Sequence, residues 1–311
     1  MNLISIGEMV IDFLPGEENG VYIRKAGGAP ANVAVAVARN GLEAGFCGCM
    51  GNDDFGAFLI KTLEDNKVKN LCPPLLDEAI TTMAFVTLNS DGDRSFTFAR
   101  KPGADMFLSR EAVDRANVAD ADIVHAGSCS LSKNPAADAT FYALDEAKRQ
   151  HKLVSFDVNY RNLMWNDDRC ACADAVQKIL PLVDFLKISQ EEEDMLGMSI
   201  DKAAQHYDIA LAVETLGARG AVCLYGGQRI TVSGLRAQCV DATGAGDAFW
   251  GGFISCLLKE GVRNTDDLNT ELVEKAMNYG NVAGWLCVQK KGAMESLPCT
   301  EEIEKILRET I

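Results

Sequence analysis

Short β-rich runs alternate with segments of helical periodicity along most of this chain, and no other feature constrains its fold as strongly. Parallel strands need long connections, usually helices, so this alternation is typical of a parallel sheet covered by helices. The pattern therefore predicts an α/β fold. The predicted strands are residues 3–7, 122–127, 153–159, 185–189, 209–217 and 221–225, and the predicted helices are residues 31–40, 55–66, 135–150, 168–180, 247–260 and 271–288.

Two segments interrupt this alternation. Residues 12–25 and 81–100 have the pattern of β-hairpins, and in the second Asp91-Gly92 supplies a turn between two β-rich runs. We expect them to form a small β-sheet that acts as a lid over a site. Because the sequence has no linker, repeat or low-complexity tract, residues 1–311 are predicted to form one domain that carries this lid.

The charge balance limits the partners of the protein. The chain of 311 residues carries 30 Lys and Arg against 45 Asp and Glu, a formal net charge of −15. Nucleic-acid backbones and anionic membranes attract clustered positive charge, so neither is an expected partner. The apolar runs are too short to span a membrane, and the first residues lack the basic segment of a signal peptide. The 11 cysteines have no C-x-x-C spacing, which favours reduced, buried thiols in a cytoplasmic protein over a zinc site.

The segment 240–253, VDATGAGDAFWGGF, runs from an extended stretch through a Gly-rich turn into an apolar helix. Gly244, Ala245 and Gly246 have almost no side chain, so successive N–H groups can point outward at a helix N-terminus and bind an anion. The common phosphate loop is excluded because no Gly-Lys pair occurs. The dinucleotide motif fails because Phe249 occupies its third glycine position.

Asp247 directly follows these glycines. A carboxylate there would repel a phosphate unless it handles the acceptor hydroxyl, which is the role of a catalytic Asp in phosphoryl transfer. The helix N-terminus is expected to keep Asp247 ionised and to lower its basicity. The alternative is an Asp that belongs to a helix cap and has no part in chemistry.

Residues 25–41 place Gly27 and Gly28 before a helix whose first turn carries Asn32. The two glycines would let a ligand touch the backbone, and Asn32 can donate to and accept from a polyol. An Ala/Val helix packed on a sheet explains the remainder of the segment. The sequence alone leaves both interpretations open.

The end of the strand predicted at 153–159 brings Asp157, Asn159 and Arg161 close together. Open α/β sheets bind ligands beyond the carboxyl ends of their strands, so Arg161 is a candidate for anchoring oxyanions or the transferred phosphoryl group. A surface ion pair in a loop is the alternative.

Thr215, Gly217 and Gly220 lie between two predicted strands. The glycines suit a contact to a nucleotide phosphate and, almost equally well, a plain hairpin turn. The run Glu191 to Glu193 by itself indicates a solvated helix start rather than a metal site.

Together these segments resemble the ribokinase-like sugar kinases, the phosphofructokinase-B family. The motifs that carry the resemblance are G-E-x-x-I-D at 7–12, G-G-A-P-A-N at 27–32, F-D-x-N-x-R at 156–161, K-x-S-x-x-E at 187–192, T-L-G-x-x-G at 215–220 and D-x-T-G-A-G-D at 241–247. The resemblance implies ATP-dependent phosphorylation of a sugar or nucleoside hydroxyl. It also implies a three-layer α/β/α fold with a β lid.

The resemblance also implies residue roles. Asp247 would be the catalytic base, the backbone of Gly244, Ala245 and Gly246 the anion hole, and Asp12, Gly28 and Asn32 the residues that hold sugar hydroxyls. The nucleotide would meet Ser189, Thr215, Gly217, Gly220, Gly246 and Asn281. Glu192 would help to place Mg²⁺ through water. The possible K⁺ ligands are Asp241, Thr243, Cys287, Lys290, Gly292 and Ser296.

The choice of sugar depends on finer resemblances. Ala29 and Ser128 stand where ribokinases carry Lys and Glu, whereas the sequences of residues 27–34 and 100–106 resemble those of fructokinases. Arg100 is expected to reach the substrate from the lid. D-Fructose is therefore the expected substrate and fructose 6-phosphate the product. A kinase for 2-keto-3-deoxygluconate is the nearest alternative, but Phe98 and Ala99 replace the lid tyrosines usual there.

Two other classes stay open as alternatives. One is a homologue that binds sugar or a partner without catalysis, and the intact glycines and Asp247 argue against it. The other is a nicotinamide oxidoreductase, which lacks its glycine fingerprint. The lid strands at 83–88 and 95–98 are apolar enough to pair in a homodimer.

Overall fold

The predicted strands form the centre of the molecule in the computed structural model, which describes residues 1–18, 20–88 and 94–310. The strands of this part of the chain are β1 (Leu3–Ile6), β2 (Val10–Pro15), β3 (Tyr22–Gly27), β4 (Ala44–Cys47), β5 (Lys69–Asn70), β6 (Met83–Leu88), β7 (Arg94–Ala99), β8 (Ile123–Gly127), β9 (Leu153–Asp157), β10 (Phe185–Ser189), β11 (Leu211–Thr215), β12 (Gly220–Tyr225) and β13 (Gln228–Ser233). The short strands β4, β5 and β13 were not predicted.

The helices predicted from periodicity are present, each within two residues of its expected bounds. The helices are α1 (Ala29–Arg39), α2 (Asp54–Asp65), α3 (Arg110–Ala116), α4 (Ala136–Arg149), α5 (Arg169–Ile179), α6 (Gln190–Leu196), α7 (Ile200–Tyr207), α8 (Ala245–Lys259), α9 (Thr270–Cys287) and α10 (Thr300–Thr310). Helices α3, α6, α7 and α10 were not predicted. The first three span only about two turns, too few for a period to stand out, whereas α10 was missed although Ile303, Ile306 and Leu307 have helical spacing.

The main sheet has the strand order β13-β12-β11-β10-β9-β8-β1-β4-β5. Pairing is parallel from β5 to β11 and antiparallel between β11, β12 and β13, because only a few residues separate those last three strands. The expectation of parallel pairing therefore does not extend to this edge, where a hairpin turn was one of the two interpretations that the sequence left open.

Helices cover both faces of the main sheet, which gives three α/β/α layers. Within β1, Leu3 joins the core under α1, α8 and α9, whereas Ile4 joins the core under α3, α4 and α5. Successive strand residues point to opposite faces, so strands buried on both sides have no polar alternation.

A separate small sheet has the strand order β3-β2-β6-β7. Strand β2 pairs with β3, and β6 with β7, in antiparallel register, which confirms the two predicted hairpins. The predicted turn at Asp91-Gly92 lies outside the described residues.

All eleven cysteines are free, and most are buried. In the described part of the chain, no group of three or more His, Cys, Asp or Glu side chains is arranged to hold a metal ion. Among the same residues, we find no helix with the length and apolar character needed to cross a membrane.

Candidate active site

The carboxyl ends of β1, β9, β10 and β11 lie at one edge of the main sheet, and the N-terminus of α8 lies over this edge. A buried hydrogen bond of 2.9 Å from Trp250 Nε1 of α8 to Ser155 Oγ of β9 fixes how the helix packs on the strand. Ser155 Oγ also contacts Nδ1 of the buried His125 at 2.9 Å. The sheet thereby sets the position of Asp247, which lies in the first turn of α8.

The turn before α8 has the geometry of an anion site. Gly244 is left-handed, with φ 79°, and a Cβ there would lie 2.9 Å from the backbone of Ala293, so only glycine fits. The N–H groups of Gly244 and Gly246 have no partner within the described residues, whereas that of Ala245 donates to Ala242 O at 3.2 Å. Two of the three expected N–H groups are therefore free for an anion.

Asp247 is 3 % exposed, and both of its carboxylate oxygens accept a hydrogen bond. Asn32 Nδ2 donates to Oδ2 at 2.7 Å, and Asn159 Nδ2 donates to Oδ1 at 2.9 Å. Burial raises the pKa of Asp247 above its ordinary value, although Arg161 and the Asn32 hydrogen bond oppose this. The expectation that Asp247 has a lowered basicity is therefore wrong, because loss of hydration on burial is the largest influence on its pKa.

A buried ion pair supports this arrangement from below. Lys187 Nζ lies 2.7 Å from Asp157 Oδ2, with the two side chains only 6 % and 2 % exposed. Asn159 Nδ2 donates to the same Asp157 oxygen at 3.2 Å. Lys187 was quoted in a motif but given no role. The sequence feature that could have revealed this buried lysine is its position inside the apolar strand FLKIS.

Asp12 and Asn32 face Asp247 from two different elements. Asp12 is half-buried on β2, and burial raises its pKa to about 6 while Arg161 lowers it. A Cβ at Gly27 would overlap the Asp12 carboxylate, and one at Gly28, where φ is 110°, would lie 2.5 Å from Glu8 O. The glycine pair therefore leaves room for the Asp12 carboxylate and for the loop after β1.

Arg161 is exposed, and its Nη1 donates to Tyr160 O at 3.1 Å. Its charge acts on the pKa of Asp12 and of Asp247, which places it in the same cleft. Arg100, in contrast, is committed to a buried ion pair with Asp105, with Nη2 and Oδ2 2.7 Å apart. Two further bonds join Arg100 to Ser132 Oγ and Met164 O at 3.1 and 3.2 Å. Arg100 thus holds the end of β7 against the body of the protein.

Glu8, which received no role from its motif, lies beside this pair. It is 4 % exposed, and its Oε2 has no hydrogen-bond partner among the described residues. Burial raises its pKa from 4.5 to about 7, helped by Asp105 and opposed by Arg100. Glu8 is therefore a carboxyl group that titrates near neutral pH.

This shift predicts a pH-dependent effect of Glu8→Gln on stability. Between pH 4.5 and 7 the folded protein holds a proton that the unfolded chain releases, so Glu8 lowers stability as pH rises through this window, by about 3 kcal/mol in full. The glutamine variant should have a thermal midpoint several degrees above wild type at pH 8 and close to wild type at pH 5. Equal differences at both pH values would contradict this account.

Ser189 and Glu192 form a capping box at the start of α6. Glu192 is 7 % exposed, and its two carboxylate oxygens accept the N–H groups of Ser189 at 2.7 Å and Tyr160 at 2.6 Å. Both residues lie at the sheet edge as predicted. A backbone N–H group already engages each Glu192 oxygen, so a metal ion would meet Glu192 more readily through water.

A cleft of about 310 Å³ opens on the other side of the α8 N-terminus. It brings together the residues predicted to meet a nucleotide, except Ser189: Thr215, Gly217, Gly220, Gly246 and Asn281. Phe249, Trp285 and Cys239 also line it, and sequence reasoning missed them. The sequence features that could have indicated these lining residues are the glycines around a short turn and the aromatic side chains on two predicted helices. Gly217 and Gly220 belong to a hairpin between β11 and β12, which confirms the hairpin interpretation. They also line the cleft, so the predicted nucleotide contact stays a prediction.

Five of the six predicted cation ligands lie together behind the Gly-rich turn. Asp241 accepts the N–H groups of Thr243 and Gly292 at 3.0 and 3.1 Å. Ser296 Oγ lies 3.1 Å from Cys287 Sγ and donates to Gly292 O. The sixth, Lys290, turns its side chain outward to Glu302 Oε1 at 2.9 Å. Only its backbone can share in such a site.

The whole chain matches known sugar kinases. Residues 1–300 match the profile described as pfkB family carbohydrate kinase. The fructokinase of Escherichia coli is 36 % identical over 96 % of this chain and 97 % of that protein. The structure of fructokinase with bound ATP from Xylella fastidiosa superposes with a TM-score of 0.89 at 30 % identity, covering 99 % and 98 % of the two chains. A fructokinase double mutant from Vibrio cholerae O395, bound to fructose, ADP and a potassium ion, superposes with a TM-score of 0.85 at 33 % identity, with 98 % of each chain covered. The protein belongs to the pfkB family of carbohydrate kinases.

Proposed function

We propose that this protein transfers the γ-phosphoryl group of ATP to D-fructose and yields fructose 6-phosphate and ADP. The observation that carries the proposal is the position of Asp247. It lies between the 310 Å³ cleft and the polar groups Asp12 and Asn32, beside two free N–H groups. The fructokinases named above, similar over nearly the whole chain, support fructose as the acceptor.

In this reaction, the 6-hydroxyl oxygen of fructose attacks the γ-phosphorus as the bond to the bridging oxygen of ADP breaks. Asp247 accepts the hydroxyl proton, and its raised pKa makes it a better base than an ordinary Asp. The N–H groups of Gly244 and Gly246 stabilise charge on the transferred group, and Arg161 adds a positive charge on the open side of the cleft.

For the sugar, we propose Asp12 and Asn32 as acceptors and donors to its hydroxyl groups. Gly28 would act indirectly, because a Cβ there would collide with Glu8 O of the loop after β1. Arg100 is assigned an indirect role, because Asp105, Ser132 and Met164 already engage its guanidinium group. It would hold the small sheet, our proposed lid, in place over the sugar.

Glu192 fits a magnesium ion held through water, and the cluster of Asp241, Thr243, Cys287, Gly292 and Ser296 supplies the oxygen donors that a monovalent cation needs. Magnesium, when bound, neutralises charge on the ATP phosphates. The potassium ion in the Vibrio cholerae structure supports K⁺ as the monovalent cation.

A coupled assay of ADP release across a sugar panel tests this function. We expect turnover with fructose, no comparable turnover with ribose or 2-keto-3-deoxygluconate, and a higher rate in K⁺ than in a tetramethylammonium buffer. Turnover of the keto acid without fructose would identify the alternative kinase. ATP-dependent turnover of none of these sugars would favour a binding protein.

The thiol of Cys239 reports on the nucleotide cleft independently of turnover. Cys239 and Cys170 are both exposed, but only Cys239 lines the cleft. We expect ATP to slow the alkylation of Cys239 by iodoacetamide several-fold and to leave Cys170 unchanged, measured by peptide mass spectrometry. Equal rates at Cys239 with and without saturating ATP would contradict nucleotide binding in this cleft.

We also propose that the protein forms a homodimer through the small sheet. The exposed apolar residues Val21, Tyr22 and Ile23 lie at or next to its β3 edge. Of the two strands that the sequence favoured for pairing, β6 lies inside the sheet and β7 forms its other edge. Sedimentation velocity tests this, since Ile23→Lys should yield monomers.

The free thiols support a reducing cytoplasmic location, which cell fractionation tests.

A further inference from the structure

We propose that Asn159 is a positioning residue that holds the Asp247 carboxylate in one orientation by tying it to the buried Lys187–Asp157 ion pair. The inference deepens the proposed function, because it concerns the group that would accept the sugar proton. It does not depend on which sugar is the substrate.

One amide group makes this connection. Asn159 Nδ2 donates one hydrogen to Asp247 Oδ1 at 2.9 Å and the other to Asp157 Oδ2 at 3.2 Å. Asp157 Oδ2 is in turn 2.7 Å from Lys187 Nζ. Because Asn32 Nδ2 occupies the other oxygen of Asp247, the carboxylate is held at both ends and cannot rotate freely.

The backbone of Asn159 adopts a conformation that Asn tolerates better than most residues. Asn159 is 6 % exposed and left-handed, with φ 40°, a conformation that few residues other than glycine adopt. Its Oδ1 is buried without a partner among the described residues, so the side chain does not serve to satisfy its own polar groups. The following N–H, of Tyr160, is held by Glu192 Oε1 at 2.6 Å. The strand end therefore fixes the direction of the amide.

The lysine of this network also places a positive charge next to the candidate anion site. Lys187 Nζ lies 3.3 Å from where a Cβ at Gly246 would be, directly beneath the Gly-rich turn. Asp247 interacts electrostatically with five ionisable groups, which are Arg161, Asp157, Lys187, Asp12 and Cys287. Among these acids and bases, the neutral Asn159 amide stabilises the ionised form of Asp247, because it donates to an oxygen that carries charge.

Two substitutions separate the amide from the backbone. Asn159→Gly removes the amide and tolerates the left-handed backbone, whereas Asn159→Asp keeps the shape and replaces the donor with a negative charge. Asn166→Gly is the matched control, because Asn166 is also left-handed, with φ 52°, but exposed on the same connection.

We expect both Asn159 variants to lower kcat 10- to 100-fold with KM for fructose within about threefold, and to move the acidic limb of the kcat profile up by about one pH unit. Asn166→Gly should change neither. A lower thermal midpoint with an unchanged acidic limb would show a structural role only and would overturn the proposal.

The titration of Asp247 can also be followed without turnover, by NMR of protein labelled with ¹³C at the Asp carboxyl carbons, with Asp247→Asn to assign the signal. A wild type inactive on fructose would refute the proposed function, while this titration still decides the role of Asn159. If the Asp247 pKa were equal in wild type and in both variants, the proposed role of Asn159 would be overturned.

Discussion

Asp247→Asn is expected to lower kcat by a factor of 10² to 10⁴ and to leave fructose binding largely unchanged. The amide keeps the shape of the side chain. Its oxygen can accept from one of Asn32 and Asn159, and the other must turn its unpartnered amide oxygen toward the new NH₂ group. The amide cannot take a proton from the attacking hydroxyl. Removing a buried carboxylate whose pKa is raised should also leave the fold at least as stable as wild type.

Single-turnover kinetics and titration calorimetry with fructose separate these effects. Asp184→Asn is a suitable control, because Asp184 is a buried Asp at the opposite end of β10, bonded to Lys148 Nζ at 2.7 Å. That variant should lose stability and keep kcat. If Asp247→Asn retained wild-type kcat, Asp247 would have no catalytic role and the proposed mechanism would be wrong.

The second large effect is expected from Lys187→Met, which should lower the free energy of unfolding by about 3–5 kcal/mol. Asp157 is 2 % exposed, so removal of the ammonium group leaves a buried carboxylate without its counter-charge. Burial lowers the pKa of Lys187, but the opposing effects of Asp157 and Glu192 are larger together and raise it above its ordinary value, so Lys187 is charged at neutral pH. Activity should fall as well, because the same charge lies beneath the Gly246 turn.

A double-mutant cycle distinguishes loss of the pair from loss of packing. Lys187→Met combined with Asp157→Asn should recover most of the lost stability in urea denaturation, since no uncompensated charge remains. The exposed pair Lys275–Glu260 also has a 2.7 Å contact, with side chains 58 % and 42 % exposed, and Lys275→Met should cost less than about 1 kcal/mol. A double variant as unstable as the single one would mean that the lost packing of Lys187, and not its charge, accounts for the effect.

The elements predicted best from the sequence were those with a long, regular apolar period. Helices α8 and α9 repeat apolar residues over 15 and 18 residues, and their limits were predicted within two residues. Strand β5, with two exposed residues, has no such pattern, and its pairing depends on β4. Strand β13 was not predicted, and the hairpin between β11 and β12 was only one of two interpretations left open, because apolar composition does not encode strand direction.

The residue types of the candidate site were also visible in the sequence. Gly-rich turns can be recognised in a sequence because few other residues fit there, as at Gly244. The carboxylate next to this turn indicated a role in proton transfer rather than in phosphate binding. The commitment of Arg100 to Asp105 was not visible, because an ion pair requires a partner fixed in space.

The α/β class, the place of the candidate anion site and the candidate base could all be predicted from the sequence, because they depend on local periodicity and on backbone positions that tolerate only glycine. The surroundings of that base depend on how the chain folds. Asn32 and Asn159 reach Asp247 across 215 and 88 residues of chain, and burial among them raises its pKa where the helix N-terminus alone would lower it. Hydrogen bonds and desolvation depend on distance in space, and a linear sequence does not contain that distance.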